Sequence, residues 1–115
     1  MSFDDRLKRL KLRLKEIPER PGVYLHRNEA GEVIYVGKAR DLRSRVTSYL
    51  VGRGVRDTKT VALVGEIDAI DFVETNNELE AILLENNLIK TNQPRYNVLL
   101  RDDKSYPYIK VTMSE

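Results

Sequence analysis

Apolar positions along this chain follow two rhythms, one with helical spacing and one with strict alternation. Phe3, Leu7, Leu10, Leu14 and Ile17 recur every three to four residues with Arg and Lys between them, which predicts a helix over residues 3–16. Pro18 and Pro21 close it, and Pro21-Gly22 opens a hairpin. Gly22 to Arg27 and Glu32 to Gly37 read as its strands, joined by Asn28-Glu29-Ala30-Gly31. A four-residue loop of this kind sets Arg27 opposite Glu32 and Tyr24 opposite Tyr35, both rings on one face. Asp41 caps a second helix that runs to about Leu50 and buries Leu42, Val46 and Leu50. Asp57 or Thr58 caps a third through Val61, Val64 and Ile67, and residues 69–75 alternate as a third strand. Asn77, with Glu80 at the capping-box position, starts a long helix through Leu79, Ile82, Leu83, Leu88 and Ile89 to about Thr91. Pro94 lies just beyond it, and residues 106–112 form a last extended stretch.

The order αββααβα implies a small α/β domain, a three-stranded β-sheet surrounded by about four helices. Its length suits a single core, with residues 1–100 as the domain and 101–115 as a C-terminal extension leading to absent downstream domains. Without cysteine there is no disulfide framework and no thiolate site, and His26 alone cannot make a paired-histidine metal motif. The charged N-terminus is unlike a signal peptide, and no apolar run approaches membrane-spanning length, which points to the cytoplasm.

Net charge is only +2, but its distribution is lopsided. Seven basic residues stand between Lys38 and Lys59 against Asp41 and Asp57, whereas Glu66 to Glu85 holds seven acids and no base. One side of the molecule is therefore expected to attract a polyanion and another to repel it.

Tyr24 and Tyr35 are followed at once by Lys38, Arg40, Arg43 and Arg45, so two phenols stand beside a basic helix where a phosphate can be held and attacked. A cross-strand aromatic pair also stabilises a sheet without any chemistry, so the pair alone does not assign a function. Arg45 and Tyr49, four apart, share a helix face distinct from the Leu42–Val46 stripe, and Arg45 can grip a phosphate through its planar fork. Arg40 and Arg43, with Arg53 and Arg56 in the glycine-flanked loop, are candidate DNA contacts or plain solvated charge. Lys38 can favour a phenolate or bind phosphate directly; a free phenol, with a pKa of about 10, needs such help to act as a base. Glu85 has Ala81, Ile82, Leu88 and Ile89 as helical neighbours, a costly setting unless it is paired, reaches water or holds a cation. One carboxylate suffices for magnesium, which keeps waters and shares ligands with a phosphate substrate. Asn97, just after the long helix, can cap or turn the chain.

Taken together these residues resemble the GIY-YIG nuclease family, whose two tripeptides stand here as Gly22-Val23-Tyr24 and Tyr35-Val36-Gly37. More narrowly, Pro21 to Tyr24, Tyr35 to Ala39, Glu85 to Lys90, Pro94 to Val98 and Arg101 to Ile109 resemble the branch serving bacterial nucleotide excision repair. The resemblance implies a GIY-YIG endonuclease-like fold and a metal-dependent endodeoxyribonuclease cutting on the 3′ side of a lesion. Tyr24, Tyr35, Lys38, Arg45, Tyr49 and Asn97 would be its catalytic set, and Glu85 would hold a single Mg²⁺ or Mn²⁺. The implied partners are damaged double-stranded DNA, the UvrA-loaded complex and UvrB, the last through segments beyond this chain. The competing readings are a DNA-positioning module that does not cut, a shorter stand-alone incision homologue, and a protein-binding domain using the acidic run.

Overall fold

The structure, a computed structural model, describes residues 3–51 and 58–97. In chain order these form α1 (Phe3–Leu12), a 3-10 turn (Leu14–Glu16), β1 (Gly22–Arg27), β2 (Val33–Ala39), α2 (Leu42–Val51), α3 (Thr58–Glu66), β3 (Ala69–Glu74) and α4 (Glu78–Asn92). The strands make one antiparallel sheet in the order β2-β1-β3, with β1 in the middle. This is the small helix-wrapped sheet expected from the sequence. The basic loop with Arg53 and Arg56 and the stretch 106–112 lie outside the described residues.

Alternation along the strands divides the core in two. Tyr24 and Ile70 face Leu10, Ile17, Leu42, Val46, Leu50, Leu63 and Ile67 from the α1, α2 and α3 side. Val23, Leu25 and Val36 face α4, meeting Ala81 with Leu84, Leu88 and Ile89. The first helix stops earlier than its apolar spacing suggests, because the chain tightens ahead of Pro18 into i→i−3 bonds such as Glu16 N–H to the Arg13 carbonyl. At α4 the expected cap forms: the Glu80 N–H donates to Asn77 Oδ1, and the Glu80 carboxylate reaches back to the Asn76 N–H. That helix ends at Gln93, in the left-handed region at φ 47°, with its N–H on the Ile89 carbonyl.

The hairpin register differs from expectation. Tyr24 pairs with Gly37, and it is His26 that pairs with Tyr35. Two single-residue slips add up. The loop uses Glu32 as well, with its N–H on Asn28 Oδ1 and its carbonyl accepting from the Asn28 N–H. Arg27 then pairs with Val33, not Glu32, and a bulge at this point leaves Ile34 outside the pairing. An even displacement leaves each side chain on its own face, so Tyr35 still joins Tyr24. Gly37 explains the choice of register, since the Tyr24 ring lies across it and a Cβ there would overlap the phenol.

The acidic run does not make a negative face. Glu66 pairs with Arg95, Asp68 with Arg9, Asp71 with Arg27, Glu74 with Arg20 and Glu78 with Arg40. These arginines come from distant parts of the chain, which a count along the sequence cannot reveal. Arg6, Arg9 and Arg13 of the N-terminal segment likewise donate to the carbonyls of Gly65, Asp68 and Ile70, fastening α1 across α3 and β3. Most of the run's charge is thus paired within the domain, which weakens the case for it as an acidic contact surface.

Replacing Gly37 with Ala is expected to destabilise the domain by about 1–3 kcal/mol, the usual cost of forcing a methyl into a packed site. Urea unfolding checks this, and an unchanged midpoint would show that the Tyr24 ring does not hold the register.

Candidate active site

The site is organised along β2. Tyr35 stands on this strand, Tyr24 on β1 and Tyr49 on α2, with ring centroids 5.7–6.2 Å apart. The Tyr24 hydroxyl donates to the Tyr49 hydroxyl at 3.2 Å. Tyr24 is buried, whereas Tyr35 and Tyr49 are half-buried. Burial, followed by the neighbouring Tyr49 and Tyr35 phenols, pushes the Tyr24 pKa well above 10, against a smaller opposing pull from Arg45. Tyr24 is therefore a protonated donor at neutral pH. That pull also puts Arg45 within electrostatic reach of the phenols.

Sequence reasoning missed His26. Two residues from Tyr24 on the same strand face, it packs among the three tyrosines, 5.1 Å from Tyr24, 5.0 Å from Tyr49 and 6.0 Å from Tyr35. The period-two spacing was the available signal. The imidazole is fully buried, and neither ring nitrogen has a hydrogen-bond partner among the described residues. Burial lowers its pKa to about 3, so it stays neutral.

Because β2 is an edge strand, Val36 and Lys38 turn their backbone groups outward, and two side chains from the far end of the chain meet them. The Val36 N–H donates to Asn97 Oδ1 at 2.8 Å, and Asn97 Nδ2 donates to the Val36 carbonyl at 2.9 Å. Asn97, buried, thus substitutes for a neighbouring strand. The Lys38 N–H donates to Glu85 Oε2 at 3.1 Å. Glu85 is half-buried, and α4 delivers it to the strand end rather than into the core. Asn97 is itself positioned by the turn after α4, where the Tyr96 hydroxyl and Arg95 both bind Glu66.

Beyond the strand end, a cavity of about 620 Å³ opens between α2 and α4. Lys38, Arg40 and Arg45 line it, with Ser44, Ser48 and Glu78. Among the described residues neither Lys38 nor Arg45 is in an ion pair, so both cations face the cavity uncompensated. Arg43 is placed otherwise, with its guanidinium on the carbonyls of Ile17 and Lys15, where it fastens α2 to the preceding segment. No three His, Cys, Asp or Glu side chains gather into a metal cluster among the described residues. Glu85 stands beside the cavity lining, on the Lys38 N–H at the strand end; a cation held there would take this one hard carboxylate, a donor set that suits magnesium completed by water and phosphate oxygens.

Three phenols, two cations and one carboxylate thus gather around the end of β2. Residues 20–98 match the family model of the UvrC-like GIY-YIG domain, and the chain belongs to that family. Similar proteins include UvrABC system protein C of Koribacter versatilis, 53% identical over 90% of this chain and 17% of its own length. That of Syntrophomonas wolfei is 54% identical over 92% of this chain and 18% of its own. The chain thus spans about a sixth of the length of these relatives. Among solved structures, the GIY-YIG N-terminal endonuclease domain of UvrC from Thermotoga maritima, bound to its catalytic magnesium, superposes with a TM-score of 0.69. It is 38% identical, and the match covers 78% of this chain and 97% of that one. Its variants with one Asn→Ala or single Tyr→Phe replacements also carry the catalytic divalent cation. Among the described residues no helix is long and apolar enough to cross a membrane.

His26 makes the fold acid-sensitive. The folded imidazole resists protonation down to about 3, while the unfolded one takes a proton near the ordinary 6.5. Between these values the unfolded state binds more protons, so stability falls as pH drops; the loss at pH 5 is about 2 kcal/mol relative to pH 7. His26→Met is expected to remove that component, read as a smaller gap between urea midpoints at pH 7 and pH 5. An unchanged gap would assign the acid sensitivity to other groups.

Proposed function

We propose that this domain is a divalent-metal-dependent endodeoxyribonuclease that makes the 3′ incision beside a lesion in bacterial nucleotide excision repair. The observation that carries the reading is the convergence on β2, where Tyr35, Lys38, Glu85 and Asn97 meet next to a cavity lined by Arg45. A phosphodiester entering that cavity meets the Lys38 ammonium and the Arg45 guanidinium, which hold its charge as it builds in the transition state. Tyr35 takes the proton of the attacking water, since Tyr24 is buried, holds its proton too tightly and spends it on Tyr49. Lys38 shares the β2 face of Val36, opposite that of Tyr35, so it serves the phosphate rather than the base. Tyr24 and Tyr49 fix the base through ring packing. Asn97 acts as a positioning residue by holding the free edge of β2 in line.

Glu85 would hold the ion, Mg²⁺ or Mn²⁺, a role consistent with the magnesium of the Thermotoga maritima domain. When bound, the ion supplies Lewis-acid stabilisation of the leaving oxygen and neutralises part of the phosphate charge. The substrate is damaged duplex DNA presented by UvrA and UvrB in the cytoplasm, with UvrB contacted by segments beyond this chain. The similarity to UvrABC system protein C supports these partners.

Arg45→Ala, Glu85→Ala and Tyr35→Phe are each expected to slow single-turnover incision by at least about 100-fold, the scale of losing one transition-state donor or a general base. Tyr24→Phe should cost less than Tyr35→Phe. Circular dichroism checks that each variant stays folded. Near-normal cutting by a folded Arg45→Ala or Glu85→Ala variant would contradict the mechanism, and a Tyr24→Phe loss exceeding that of Tyr35→Phe would move the base to β1.

A further inference from the structure

Arg40 is the one cation in the cavity wall that is already paired. Its Nε lies 3.1 Å from Glu78 Oε2, and the two side chains retain 85% and 57% of their exposure. Glu78 belongs to the first turn of α4 and Arg40 to the segment between β2 and α2, so this contact joins two sides of the cavity wall. Asp41, the other carboxylate of the wall, is occupied, since its Oδ1 accepts the Ser44 N–H as the cap of α2. Glu78 is therefore the carboxylate that meets whatever enters beside Arg40.

We propose that the outer part of this cavity is a second phosphate subsite, which seats a backbone phosphate flanking the one that is cut. In this proposal Glu78 occupies Arg40 as an internal phosphate mimic until DNA displaces it. The inference rests on the nuclease reading above and adds to it a binding step with its own regulator. Three features support it. Lys38, at the end of β2, and Arg40, just past it, both line the cavity, which lets them address neighbouring groups of one strand rather than a single group. A cavity of about 620 Å³ is roomier than a lone phosphate requires. An exposed ion pair is also weak, so a phosphodiester, which accepts the same guanidinium fork, replaces a carboxylate at little cost. Glu78 then opposes DNA twice, by competing for Arg40 and, once displaced, by leaving a negative charge at the entrance.

The test is equilibrium binding of a fluorescently labelled undamaged duplex to the protein, followed by anisotropy between 50 and 200 mM salt. Glu78→Gln is expected to tighten binding about three- to five-fold at low salt, as the loss of an exposed competing charge would. Arg40→Gln is expected to weaken binding by a similar factor and to make the slope of log K against log salt shallower by about one phosphate contact. In the Arg40→Gln background, Glu78→Gln should have at most a small residual effect. Unchanged affinity and slope in Arg40→Gln, while the parent protein binds with a clear salt dependence, would overturn the subsite and leave the nuclease reading standing. Glu78→Gln tightening binding equally with and without Arg40 would overturn the mimic, reducing Glu78 to general repulsion. If the parent protein showed no salt-dependent binding at all, both the subsite and the reading beneath it would fall.

Discussion

The Tyr24 ring lying across Gly37 fixes the register of β1 against β2, and the rest of the site inherits its geometry from that contact. A strand pair can slip, and a slip of one residue would turn every side chain of β2 to the opposite face. Here the aromatic ring fills the space left by the missing Cβ, and a side chain at this position would overlap it. The two tripeptides thus divide the work. The glycines provide clearance, since Gly22 has the Val73 carbonyl and Leu42 against it just as Gly37 has Tyr24. The valines build the core under α4, and the tyrosines make the ring cluster on the opposite face.

Once β2 is fixed, its outward-facing backbone becomes the scaffold for groups from far along the chain. Asn97 satisfies Val36 and Glu85 satisfies Lys38, so the open edge of the sheet is closed by the residues to which the proposed mechanism assigns roles. An edge strand is ordinarily a liability that proteins must cover. Here the cover also positions the site: a displacement of β2 would be felt at Tyr35, Lys38, Glu85 and Asn97 together. His26 shows the opposite balance. Its buried, unpartnered nitrogens cost stability, and the site's ring packing includes them all the same.

Much of this was legible in the sequence because it depends on local pattern. Among the described residues, helical and strand periods located the four α-helices and three strands though not the 3-10 turn after α1, and Asn77 with Glu80 marked the start of α4 to the residue. The even displacement of the hairpin preserved the facing of Tyr24 and Tyr35 even though their pairing was misplaced. What escaped was non-local or cumulative. The bulge at Ile34 has no sequence signature, and the neutralisation of the acidic run needs partners such as Arg9 for Asp68, 59 residues away. Arg43 read as a candidate DNA contact because nothing in the order of residues places the Ile17 carbonyl beneath it. The separate parts of Glu85's role, a carboxylate amid apolar neighbours and an acceptor at a strand edge, become one statement only in three dimensions.

The central claim is that these residues cut a DNA strand with the help of a divalent ion held by Glu85. It is tested most directly by mapping incision of a lesion-bearing duplex loaded by UvrA and UvrB, with Mg²⁺ or with EDTA. The enzyme would be a full-length excision-repair protein carrying this domain with its other nuclease inactivated. The account predicts a single nick on the 3′ side of the lesion that requires the ion and disappears with Glu85→Ala. A nick that persists in EDTA, or no nick on a duplex whose loading is verified, would contradict it.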